Sequence, residues 1–262
     1  MSLILIRGGG DLASGVALRL HRSGFQVVIA ELPNPLTVRR TVSYSEAVYD
    51  GEISIEGTRA VRALSSVEAL QLVRTGQIAV VVDPQADILL QADFSVLVDA
   101  RLLKQHVEGV SSSTLLVVGL GPGFTCGENC HAVVETQRGH YLGHVYWSGS
   151  ASTDTGQPEG DSRRVLRAPR DGSLSAYARI GEHLEAEQLV ARVGGEPVTA
   201  PIPGVLRGLI RPGIAIQQGV KIGDIDPRDD PAYCFSISDK ALAVGGGVLE
   251  AILSRSIKPG LL

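Results

Sequence analysis

The chain has 262 residues, a formal net charge of −4, few aromatic residues and only four lysines, Lys104, Lys221, Lys240 and Lys258. Scattered arginines without a basic stripe argue against a nucleic-acid partner, and the lack of any apolar run of about 18 residues argues against a membrane span. The opening apolar stretch is too short for a secretory leader, so the expected compartment is the cytoplasm, and the length suits one large domain or two modest ones.

Leu3-Ile4-Leu5-Ile6 reads as a short strand buried on both faces. It runs into Gly8-Gly9-Gly10-Asp11-Leu12-Ala13-Ser14-Gly15. A helix over Val16, Leu18 and Leu20 follows and stops at Ser23-Gly24. Gln26-Val27-Val28-Ile29-Ala30 is the next strand, with Glu31 at its end. Strand, glycine turn, helix, strand and acid in this order fit a dinucleotide fingerprint, with Ala13 in the third small position. Gly8 would permit the tight turn, and Gly10 would let a diphosphate approach the helix N-terminus. Glu31 falls where an acid hydrogen-bonds a ribose. Asp11 cuts the other way, because a carboxylate there can cap the helix amides itself or repel a bound phosphate. Arg39 and Arg40 are candidate phosphate ligands or parts of a solvated loop.

Ser65-x-x-Glu68 resembles a capping box opening a helix that runs to Thr75-Gly76. Ile78 to Asp83 and Phe94 to Asp99 read as buried strands ending in acids, so a mostly parallel sheet is expected, with ligands at its carboxyl edge. A further strand, Leu115 to Val118, leads into a second glycine turn, in which Gly119, Gly121 and Gly123 are candidate ligand contacts or plain turn residues. Cys126 and Cys130, beside His131, allow three readings: a metal pair completed by His140 and His144, a redox or sulfur-accepting pair, or two ordinary thiols. Structural zinc wants four ligands, usually from two paired motifs, and only one pair exists here. No metal ligand is therefore assigned.

Residues 148–162 form a polar linker by composition. Beyond it a pattern repeats: Ala168-Pro169-Arg170-Asp171-Gly172-Ser173-Leu174 recurs as Ala200-Pro201-Ile202-Pro203-Gly204-Val205-Leu206, and Gly181, Leu184, Val190 and Val193 match Gly213, Ile216, Ile222 and Ile225. So short a repeat cannot bury its own apolar face, and the two copies must close on each other. The expected fold class is therefore α/β, a Rossmann-like domain over 1–147 joined to a biotinyl/lipoyl-like β barrel-sandwich hybrid over 163–227, with Gly194-Gly195 at the hairpin joining its halves. No lysine lies between Lys104 and Lys221, so neither biotin nor lipoate has an attachment point, and the module is expected to dock or scaffold. The tail, 228–262, is helical in pattern apart from Gly245-Gly246-Gly247 and is expected to pack on the first domain.

Taken together, Arg7-Gly8-Gly9-Gly10-Asp11-Leu12-Ala13-Ser14-Gly15, Arg39-Arg40-Thr41-Val42, Ser45-Glu46-Ala47-Val48-Tyr49-Asp50-Gly51, Gly119-Leu120-Gly121-Pro122-Gly123-Phe124-Thr125, His131 to His140, Ile237 to Ala243 and Gly245 to Glu250 resemble the YqeB-type accessory proteins of selenium-dependent molybdenum hydroxylase systems. The resemblance spans nearly the whole chain. It implies a maturation factor that handles the molybdenum cofactor, or a nucleotide, before insertion into a hydroxylase target, with selenation or sulfuration of the cofactor as one role. The cysteines are not part of that pattern. A homodimer is a further expectation. Two other readings stand beside it: an NAD(P)-dependent oxidoreductase, with His131, His140, Glu135 or Tyr44 as proton donor, and a scaffold whose nucleotide fold is empty.

Overall fold

The computed structural model describes residues 2–103, 115–153 and 161–257. Lys104, the linker residues 154–160 and the tail from Lys258 onward lie outside them.

The first half builds a nine-stranded sheet among the described residues. Its strands are β1 (Leu3–Arg7), β2 (Gln26–Glu31), β3 (Glu52–Ile55), β4 (Thr58–Ala63), β5 (Ile78–Val82), β6 (Val96–Asp99), β7 (Leu116–Leu120), β8 (Ala132–Val134) and β9 (Val145–Tyr146), in the order β3-β4-β5-β2-β1-β6-β7-β8-β9. The pairings from β4 to β8 are all parallel, and β3 and β9 close the edges in antiparallel fashion. Runs such as Ile78-Ala79-Val80-Val81 are apolar on both faces because both faces are covered. Helix α1 (Asp11–Arg22) and the C-terminal helix cover one face. On the other face lie α3 (Ser66–Arg74), Ile88, Phe94 and Phe124; a short α2 (Ala47–Asp50) precedes β3. Ser65 caps α3, its hydroxyl accepting from the Glu68 amide at 3.2 Å.

The second half comprises β10 (Val165–Arg167), β11 (Gly172–Ala176), β12 (His183–Leu184), β13 (Leu189–Val193), β14 (Glu196–Thr199), β15 (Gly204–Leu209), β16 (Ala215–Ile216) and β17 (Lys221–Asp226). They form two four-stranded sheets, β10-β17-β15-β12 and β14-β13-β11-β16, around a shared core of Leu174, Leu184, Leu206, Ile222 and Ile225.

The expected union of a Rossmann-like domain with a biotinyl/lipoyl-like barrel is corrected by this architecture. The large sheet is mixed, and its β7-to-β8 crossover carries no helix. In the second half, Gly194-Gly195 makes the expected hairpin between the repeat copies, turning β13 into β14, its neighbour in the same four-stranded sheet. The repeat copies interleave: β12 of the first copy pairs with β15 of the second, and β11 of the first with β16 of the second. Period-two patterning locates strands, but the partner of each is set by non-local pairing that the repeat alone does not encode.

Helix α4 (Asp239–Ile257) returns to the first half and lies on α1, contributing Ala241, Val244, Val248, Ala251 and Ile252 to that core. Gly245 and Gly247 are continuous with the helix because bare backbone is required there: a Cβ at Gly245 would meet the Gly15 carbonyl at 2.8 Å, and one at Gly247 would collide with the Gly143 carbonyl. No helix of the described residues is long and apolar enough to cross a membrane.

Candidate functional site

A cleft of about 690 Å³ opens where the glycine turn, the 36–39 loop, β17 and the start of α4 meet. Its walls carry Arg39, Arg138, Arg164, Arg207, Lys221, Arg228 and Lys240 against Asp11, Asp161, Asp224, Asp226 and Asp239. Asp161 is held by Arg163, which lies outside the cleft lining, so among the described residues the lining carries more cationic side chains than aspartates, in a chain that is acidic overall.

The turn faces this cleft with only one of its sides. On the side of Gly9 it is closed. The Gly9 amide donates to Glu31 Oε2 at 2.6 Å, the Ser45 amide donates to the Gly9 carbonyl at 2.9 Å, and the Ser14 hydroxyl donates to that same carbonyl at 3.2 Å. The Leu32 amide donates to the other Glu31 oxygen, also at 2.6 Å. Burial raises the Glu31 pKa, and these two amide hydrogen bonds oppose the rise. The carboxylate read from sequence as a ribose ligand is thus committed to the backbone. Gly8 sits at φ 92° with its amide on the Ala30 carbonyl, which is the tight turn expected of it.

On the side of Gly10 the turn is open. Gly10 is the N-cap of α1 at φ −66°, supplies no side-chain cap, and has nothing within 4 Å of where a Cβ would stand. Asp11 takes up one amide, its Oδ1 accepting from Leu12 N at 2.9 Å, while its other oxygen pairs with Arg39 at 3.4 Å. Helix α4 also begins at the cleft, but the Ser238 hydroxyl accepts from the Ala241 amide at 3.2 Å, and Asp239 is gripped by Arg138 at 2.6 and 2.7 Å. That grip holds the Asp239 carboxyl far below the usual carboxylate range. Of the two helix starts lining the cleft, α1 is the one without an N-cap side chain.

Arg39 is only 8% exposed; its guanidinium donates to the Tyr233 carbonyl at 2.9 Å and the Ser236 carbonyl at 3.3 Å, and its Nε is buried without a hydrogen-bond partner. Arg40 instead ties the loop to β15, Nε to the Leu209 carbonyl at 3.1 Å. Across the cleft, Asp224 is fully buried beneath Arg164 (2.7 Å), Arg207 and Lys221 (3.4 Å). Arg207 also reaches Asp226 at 3.2 Å, and Arg228 covers Asp226 with bonds at 2.5 and 2.9 Å. The Arg228 bonds bring Asp226 down to about 2, whereas burial lowers the Lys221 ammonium from its usual value with Asp224 opposing.

Of the residues selected from sequence, the cleft therefore gathers Gly10, Asp11 and Arg39. Gly15 serves packing: a Cβ there would stand 2.6 Å from the Ala241 carbonyl. Gly119 lies against the Phe124 ring and Gly121 (φ 79°) against Thr136; none of Gly119, Gly121 and Gly123 lines the cleft. His131 Nδ1 accepts from the Val117 amide at 2.9 Å, Glu135 accepts from the Gln137 and Ser152 amides at 2.8 Å each, and Tyr44 is fully buried. His140 is exposed and also lies away from the cleft. The thiols are deactivated, with burial raising Cys126 and pushing Cys130 up to about 12.

Sequence reasoning missed the second half's wall of Arg164, Arg207, Lys221 and Arg228. The available signal was Asp224 and Asp226 alternating with Ile222 and Ile225 in one strand, since aspartate is depleted from strands unless something holds it there.

Fold and site together define a two-part α/β protein with a cleft lined by arginines, lysines and aspartates at the junction of its parts. No family model matches the sequence. The chain is 45% identical over 255 residues to a protein of Escherichia coli (strain K12) named "Uncharacterized protein YqeB", a match covering 96% of this chain and 47% of that protein. It thus spans about half the length of that curated relative, and the similarity supports a YqeB-type chain. Solved structures aligned to it include the product-bound ectoine utilization protein EutE (DoeB) from Ruegeria pomeroyi, at 11% identity over 86% of this chain and 57% of that one, TM-score 0.25. An aspartoacylase family protein from Mesorhizobium loti aligns at 11% identity over 86% of this chain and 84% of that one, TM-score 0.28.

Proposed function

We propose that this chain is an accessory protein that holds a phosphate-bearing cofactor in the cleft at its junction, and that the cofactor is the molybdenum cofactor on its way into a selenium-dependent hydroxylase. The observation that carries the binding half of this reading is the uncapped start of α1, opening onto a cleft where cationic side chains outnumber aspartates. Backbone amides and the helix dipole favour an anion there, and arginines provide the complementary charge. The molybdenum half rests on the YqeB resemblance. A hydride-transfer reading is weakened because Glu31 is bound to backbone and no candidate proton donor lines the cleft.

Titration calorimetry with guanosine and cytidine phosphates, NAD and isolated molybdopterin nucleotides tests this. Binding of phosphate-bearing ligands, with the pterin form tightest, is expected. Absence of heat with every one of them would overturn the reading. The Gly10→Val variant should fold, because φ −66° and the open space accept a side chain. It should lose roughly tenfold or more in affinity by screening the α1 amides. Unchanged affinity would remove the helix start from the site.

A further inference from the structure

The cleft is charged at two separate places. One is the start of α1 with Arg39, whose side chain is nine-tenths buried, whose Nε has no hydrogen-bond partner, and whose guanidinium is only partly offset by Asp11 at 3.4 Å. The other is the opposite wall, where Arg207, Lys221 and Arg228 crowd over two aspartates on one strand together with Arg164. The aspartates beneath that second wall are already shared, Asp224 among three cations and Asp226 between two, so they leave positive charge over. The lining also has an apolar part, Leu12, Leu36 and Leu102, of which Leu36 is 46% exposed and Leu102 36% exposed.

We infer that the cleft takes an organic diphosphate, one phosphoryl group on the α1 start and Arg39, the other on the Arg207, Lys221 and Arg228 wall, with the organic ring against Leu36 and Leu102. The inference rests on the proposed reading of the cleft as an anion site and specifies its ligand class. A diphosphate carries charge enough for both, and its ester supplies the apolar portion that the leucines would cover.

The experiment compares guanosine monophosphate, guanosine diphosphate and inorganic pyrophosphate by calorimetry on the full chain and on Lys221→Gln. The diphosphate should bind roughly tenfold tighter than the monophosphate, and pyrophosphate more weakly than the nucleoside diphosphate. Lys221→Gln should remove most of the diphosphate advantage while changing monophosphate affinity less than about twofold. If monophosphate and diphosphate bind equally, or the variant weakens both alike, the two-place assignment falls while the anion site stands. If pyrophosphate matches the nucleoside diphosphate, the leucine wall has no role and the organic part of the assignment falls. If no phosphate binds, the anion site itself falls. Should Lys221→Gln fail to fold by circular dichroism, Arg228→Gln makes the same comparison, since the Arg228 side chain is 60% exposed and its loss leaves Asp226 paired with Arg207.

Discussion

Glu46 shows how burial sets the charge of a side chain. Its carboxylate is 4% exposed, one oxygen has no hydrogen-bond partner, and Arg211 lies 3.3 Å from the other. Burial raises it to about 6, with Arg211 opposing the rise. The sign follows directly. Between about 4.5 and about 6 the folded chain holds a proton that the unfolded chain has released, so stability falls as pH rises through that window. At neutral pH the loss is about 2 kcal/mol. Denaturant unfolding of Glu46→Gln should lack this decline and leave the variant more stable than the parent above pH 7. Parallel pH profiles for the two chains would show that Glu46 is not the titrating group. Glu31 teaches a related lesson. The sequence correctly flags an acid at the end of β2, but only the fold shows two backbone amides consuming it.

At the scale of elements, β1, β2, β5, β6, β7 and α1 were legible because apolar runs and periodicity are local signals, and α3 because Ser65 caps it, whereas β3, β4, β8 and β9 are too short or too polar to announce themselves. The two repeat copies do close on each other as their apolar pattern required, but which strand pairs with which was not legible, since strand pairing is long-range. The α4 glycines lie between these cases: the run Gly245-Gly246-Gly247 announced either a break or a close approach, and the approach is to Gly15 and Gly143. The three positions are therefore not equivalent. Gly246 has nothing within 4 Å of an added Cβ, so Gly246→Ala should raise stability by up to about 1 kcal/mol through helix propensity. Gly247→Ala, which would drive a methyl into the Gly143 carbonyl, should lower it by about 1–3 kcal/mol. Thermal melts of the pair check this, and a stabilised Gly247→Ala would refute the close packing.

At the scale of the molecule, the halves are joined by more than chain. Arg40 bonds to Leu209, Thr41 to the Cys234 carbonyl at 2.6 Å, Arg211 spans to Glu46 and Asp50, and Val38 packs on the second core at Gly208. Heat should therefore unfold the two parts together. Far-ultraviolet circular dichroism, which reports all strands, and the fluorescence of Trp147, the single tryptophan, which packs against the first core, should give coincident midpoints. Two separated transitions would show that these contacts do not couple the halves.

The placement of α4 has a bearing on the order in which a ribosome can finish this protein. The helix that seals one face of the large sheet is made after the strands of the small sheets, so the small module is an insertion into the large one in all but name. While the chain emerges, the small module holds its own core, yet α1 still displays its apolar face to solvent or to a chaperone. Only when α4 has left the exit tunnel can the first helix be covered, and the cleft wall that α4 begins is made after the walls supplied by the large sheet and the small module.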